Sequence, residues 1–133
     1  MMNIRTTGAR LLAGLLAGFL ASPLVAGAAP EMTAGQFLDA MNKAESLGPA
    51  ALLSSDVTKL RAESERVINI YRSDIARQEK AGGAKHSCPP PQGKGRMKGD
   101  ELKVHLVSLS PAQRSRPFRV ALYDFMKKKY PCK

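Results

Sequence analysis

His86, Ser87 and Cys88 are consecutive, and a nucleophile beside a base is the first chemistry to weigh in this chain. A Cys–His pair works when the imidazole is held within hydrogen-bond reach of the sulfur and is itself oriented by a third group. Neighbouring positions in an irregular segment do not impose that geometry. Cys88 also has a competing fate, because Cys132 is the only other cysteine. The second histidine, His105, falls among Leu102, Leu106 and Leu109 and reads as a packed core residue.

The remaining reactive groups assemble no recognisable set. CxxC, CxxCH and HExxH patterns are absent, so the sequence offers nothing for haem attachment or zinc hydrolysis. There is no GxSxG elbow. Gly93-Lys94-Gly95-Arg96 would suit an anion, but it lacks the rest of a P-loop and reads as a flexible basic loop. Asp100 and Glu101 fall where a helix starts, a position that favours acids. Glu63 and Glu65 lie two apart and point to different sides of a helix. With no nucleophile, base and orienter together, no enzyme is expected, and neither a cofactor nor a metal.

The elements that would carry these residues are helical throughout. Thr33 with Gln36 forms a capping box, followed by Phe37, Leu38, Met41 and Leu47 on one face until Gly48-Pro49. Pro49 can open a single turn to Leu53. Ser55 or Asp56 then caps a long helix to about Lys80, with Val57, Leu60, Ser64, Val67, Ile68, Tyr71 and Ile75 along one stripe. Lys59/Glu63 and Arg61/Glu65 are assigned to its solvent face. Residues 81–97 are a long irregular segment, rich in glycine and proline, of the kind that is functional or disordered. Cys88 would tie its first half; Gln92 to Arg96 has no evident tether. A helix over Asp100–Leu109, a capping box at Ser110/Gln113 and a last helix over Pro117–Tyr130 complete the pattern. Phe118, Ala121, Leu122, Phe125 and Met126 make the buried face of that last helix, and Lys127, Lys128 and Lys129 sit in its final turn. The expected fold is all-α: a compact bundle of four to five short helices closed by one disulfide.

Residues 1–28 have the order of a secretory signal peptide. Arg5 and Arg10 precede an uncharged apolar run from Leu11 to Leu20, and Ala26-Gly27-Ala28 fits the small-residue cleavage rule. The run is short for a bilayer span, so no transmembrane segment is expected after processing. Residues 29–133 are then a single exported domain of 105 residues with 19 basic and 11 acidic groups, a balance of +8. Such a charge favours acidic partners, whether a protein face, anionic lipid or wall polymer. Few aromatic residues and no Trp argue against nucleic acid. In an exported chain the even cysteine count reads as a disulfide, with two free thiols or an intermolecular bridge as alternatives. The apolar stripe of the long helix reads as core, with a homodimer interface as the alternative.

Three segments together carry a resemblance. They are Thr33-Ala34-Gly35-Gln36-Phe37-Leu38, then Ser87-Cys88-Pro89-Pro90, and then a tail of Leu102, Leu106, Pro111, Arg116-Pro117, Ala121, Leu122, Phe125 and Tyr130-Pro131-Cys132. In order and spacing this resembles the Rap/Tai family of periplasmic immunity proteins, over about residues 33–132. The chain departs from that pattern at Val67–Arg72 of the long helix. The resemblance implies an all-helical periplasmic protein with a Cys88–Cys132 bridge. It also implies a protein partner, a peptidoglycan amidase effector delivered by type VI secretion, which the protein would block. The loop residues Gln92, Lys94 and Arg96 are the candidate partner contacts, since inhibition needs a rigid scaffold and a protruding loop with a few anchors. The alternative is a general envelope protein binding anionic wall polymer, lipid or stressed proteins.

Overall fold

The computed structural model describes residues 30–95 and 97–133; the signal peptide expected at 1–28 and the loop residue Arg96 lie outside the described residues. The chain order is α1 (Ala34–Leu47), a 3-10 turn (Gly48–Leu53), α2 (Ser55–Lys80), α3 (Gly99–Ser108), α4 (Pro111–Arg114) and α5 (Phe118–Lys129). The described residues contain no strand beyond an isolated bridge between Thr33 and Pro117.

Local chemistry sets the helix ends. The Thr33 hydroxyl accepts the Gln36 N–H at 3.1 Å, and Gln36 Oε1 accepts the Thr33 N–H at 2.9 Å. Ser110 and Gln113 repeat the arrangement at α4. Helix α2 is capped by Ser54, not by Ser55 or Asp56. The 3-10 turn ends at Leu53, so Ser54 is the residue with extended backbone, and its Oγ accepts the Asp56 N–H at 3.2 Å. Asp56 falls in the first turn and pairs with Lys43 of α1.

Helix α1 runs antiparallel to the first half of α2. Met32 meets Glu63 at one end of this contact and Lys43 meets Asp56 at the other. Helix α5 lies along the second half of α2, where the Tyr123 hydroxyl donates to Asp74, and the disulfide joins the segment after α2 to the segment after α5. Helix α3 covers the other side, tied to α1 by Lys103–Glu45 and to α5 by Glu101–Lys129. Between these helices sit Phe37, Leu38, Val67, Tyr71, Leu102, Leu106, Phe118, Leu122 and Phe125, all buried. Each such side chain contributes roughly 1.5–3 kcal/mol by leaving water. The Phe37 and Phe118 rings stack with centroids 3.6 Å apart.

Two expectations about faces are corrected. Leu47 shares a helical face with Phe37 and Leu38, yet it is among the exposed large apolar residues, because the last turn of α1 runs past the core. Spacing puts Glu63 with Lys59 on the face of α2 away from the apolar stripe, yet it is only 8% exposed. The entering N-terminal segment crosses α2 there, and Glu63 accepts the Met32 N–H at 3.2 Å. Both of its oxygens also accept from Arg66 at 2.8 Å, a paired geometry that makes burial of a carboxylate tolerable. These bonds hold the Glu63 carboxyl below its ordinary pKa, the Arg66 contact being the largest cause.

Candidate functional site

The long segment after α2 doubles back along that helix. Ala81 donates its N–H to Arg77 and Gly83 to Gln78, and Gly82 takes a φ of 66° that a side chain would resist. The chain then passes Gln78 and Tyr71 in reverse order. The His86 N–H donates to Gln78 Oε1 at 2.7 Å, and Ser87 Oγ lies 2.6 Å from the Tyr71 hydroxyl and 3.1 Å from His86 Nδ1. Ser87 is fully buried, so it is a structural pin that no substrate reaches. Burial raises the Tyr71 phenol above its ordinary pKa, and burial together with Asp74 raises Tyr123.

Cys88 follows and is bonded to Cys132, with the two Cα atoms 5.0 Å apart. This settles the fate of the cysteines: Cys88 carries no thiolate, and the His86-Ser87-Cys88 run is a latch pinned by the buried Ser87. The Cys88 N–H adds a bond of 2.8 Å to the Tyr130 carbonyl.

Pro89, Pro90 and Pro91 next cross the α2 face formed by Arg72, Ile75, Ala76 and Glu79, leaving a trough of about 400 Å³. Residues 92–95 then turn. The Lys94 N–H donates to the Pro91 carbonyl at 3.0 Å, and Gly93 has a φ of 83°. A Cβ on Gly95 would come within 2.3 Å of the Pro90 ring, so only glycine folds this closely over the proline. These contacts are local to the proline segment: among the described residues, no hydrogen bond ties this half-loop to the helices, as the sequence leads one to expect. Gln92, Gly93 and Lys94 form a hydrogen-bonded, exposed turn seated on Pro90. Of the three partner-contact candidates, Gln92 and Lys94 share its tip, and Arg96 lies outside the described residues.

Charge gathers at this end of the bundle. The disulfide ties the doubled-back segment to the end of α5, and the Glu101–Lys129 pair brings the start of α3 to that same helix end. Residues 79–101 and 124–133 hold nine basic and four acidic groups, whereas residues 29–78 hold six basic and seven acidic. Lys129 is taken by Glu101 and Lys85 by Glu79, leaving Lys80, Lys94, Lys98, Lys127 and Lys128 with no carboxylate within 4 Å among the described residues.

A larger groove of about 1100 Å³ lies between α1 and α2, over Met32, Ala40 and Ala62. Its charges mostly cancel in the pairs Lys43–Asp56 and Arg66–Glu63, so it projects little field. His105, read as a core residue, is 8% exposed with its ring centroid 5.6 Å from that of Phe125. Burial, with Lys128 nearby, lowers its pKa. The described residues contain no group of three or more His, Cys, Asp or Glu suited to a metal, and no helix long and apolar enough to cross a membrane.

Fold and site together define a class: an all-helical, disulfide-closed domain with a basic turn at its closed end. Comparison with protein-family models, curated proteins and solved structures finds no match for this chain.

Proposed function

We propose that this protein is an exported inhibitor that binds a peptidoglycan amidase effector and covers its catalytic groove. The observation that carries this reading is the exposed Gln92–Lys94 turn, shaped by the Pro90–Gly95 approach and the Lys94–Pro91 hydrogen bond. A turn fixed before binding loses little conformational freedom on docking, which favours a tight inhibitor. Lys94 at its tip, backed by the surrounding basic charge, would speed encounter with an acidic groove, an effect that weakens with salt. The disulfide supports an oxidising compartment such as the periplasm. The three resembling segments supply the partner class.

A second reading, a general envelope protein that holds anionic wall polymer or lipid, draws on one observation. Lys127 and Lys128 lie exposed in the last turn of α5. Affinity capture separates the two. Oxidised protein is incubated with periplasmic and secreted fractions of its own organism and eluted with salt. Retention of one cell-wall hydrolase, lost in Lys94→Glu and Arg96→Glu together, supports the inhibitor. Recovery of wall fragments, lipid or many unrelated proteins supports the envelope protein.

A further inference from the structure

The trough between α2 and the triple proline has a composition of its own. Its floor is apolar, from Ile75, Ala76 and the proline rings. At one end stands Arg72, which has no carboxylate within 4 Å among the described residues. At the other end Lys85 and Glu79 pair at 3.3 Å. From Arg72 to Glu79 the helix rises about 10 Å, and three extended prolines cover about 9 Å. That length accommodates roughly three residues of extended peptide.

The prolines also restrict how such a peptide is held. None has an N–H, so this wall cannot donate a ladder of strand-like hydrogen bonds. It offers ring surface, which rewards an apolar side chain, while Arg72 rewards a carboxylate in planar, two-pronged contact. The charge excess around the disulfide points the same way.

We propose that this trough binds an extended acidic segment of a partner protein, seating an apolar side chain against Ile75 and the prolines and a carboxylate against Arg72. The inference rests on the inhibitor reading for its natural partner and adds a second anchor beside the Gln92–Lys94 turn. Two anchors on one face explain how a small domain would gain specificity beyond the charge of a single loop.

Fluorescence anisotropy tests it. The oxidised full chain is titrated with a labelled peptide of Glu-Ser-Leu-Ser repeats, which puts Glu and Leu on the same face of an extended chain. Matched peptides carry Ser for Leu, or Lys for Glu. The Glu/Leu peptide should bind at least tenfold more tightly than either control. Arg72→Glu should weaken it at least tenfold. Ala76→Trp, which fills the trough without changing charge at an exposed helix position, should do the same, with folding checked by circular dichroism. Lys128→Glu, outside the trough, should change it less than threefold. Equal binding of the Glu/Ser peptide, or indifference to both trough variants, overturns the proposal. The capture experiment keeps the two readings apart. If Arg72→Glu retains a hydrolase as well as wild type does, the trough is wrong and the inhibitor reading stands. If the peptide binds as described but no hydrolase is captured, the trough stands and the inhibitor reading falls.

Discussion

Replacing both cysteines, Cys88→Ser with Cys132→Ser, tests how the closed end is held. The bridge spans 44 residues. By restricting the unfolded chain, a loop of that length contributes roughly 4 kcal/mol. A domain of this size has a total stability of about 5–15 kcal/mol. The folded state keeps other ties in the same place: the Cys88 N–H to Tyr130, the His86 N–H to Gln78 and the Tyr71–Ser87 pair. Each contributes about 1 kcal/mol net. The two effects predict different readouts. Helical content by circular dichroism should change little at 20 °C, because the buried helices and these bonds remain. The melting temperature should fall by roughly 15–30 °C, since 1 kcal/mol shifts a domain of 60–100 residues by about 4–8 °C. Reductant on the wild type should reproduce the loss and should not affect the double variant further. A fall of less than about 5 °C would refute the reasoning, because the non-covalent latch would then suffice alone.

Three further predictions concern the interior. Glu63→Ala strands the Met32 N–H, leaves Arg66 only its Glu31 partner and should cost about 1–3 kcal/mol in urea unfolding, while Glu63→Gln, whose oxygen can still accept from both, should cost less. Leu106→Ala empties a fully buried site and should cost about 2–5 kcal/mol by the same assay. His105 has a lowered pKa when folded, so the unfolded chain binds the proton more readily. Stability is therefore intact above about 6.5 and should decline as the pH falls below it, whereas the Glu63 contribution persists down to the carboxylate range. His105→Phe should flatten the decline near pH 6 measured by thermal melts; an unchanged slope would place the titrating group elsewhere.

Much of the architecture is written in local patterns. Thr33/Gln36 and Ser110/Gln113 announce their helix starts because a capping box needs only four consecutive residues. The Val67–Tyr71 stripe and the Phe118–Met126 face follow from helical period alone. What escaped was decided by approach of distant segments. Glu63 looks solvent-facing by spacing, and only the arrival of Met32 buries it. Ser87 gives no sign that it will meet Tyr71 across a reversal of the chain. The turn at residues 92–95 reads as slack because the contact that seats it, Gly95 on Pro90, is a matter of backbone approach and leaves no periodic trace. The trough likewise depends on where the prolines lie against α2, which their spacing does not state.

Inhibition is read most directly from muropeptide release by the captured cell-wall hydrolase, titrated with the oxidised protein. Release should stop near one equivalent of wild type, and Lys94→Glu with Arg96→Glu should restore it, the gap between wild type and variant narrowing as salt screens the attraction. Undiminished release at a large excess of correctly folded protein would contradict inhibition.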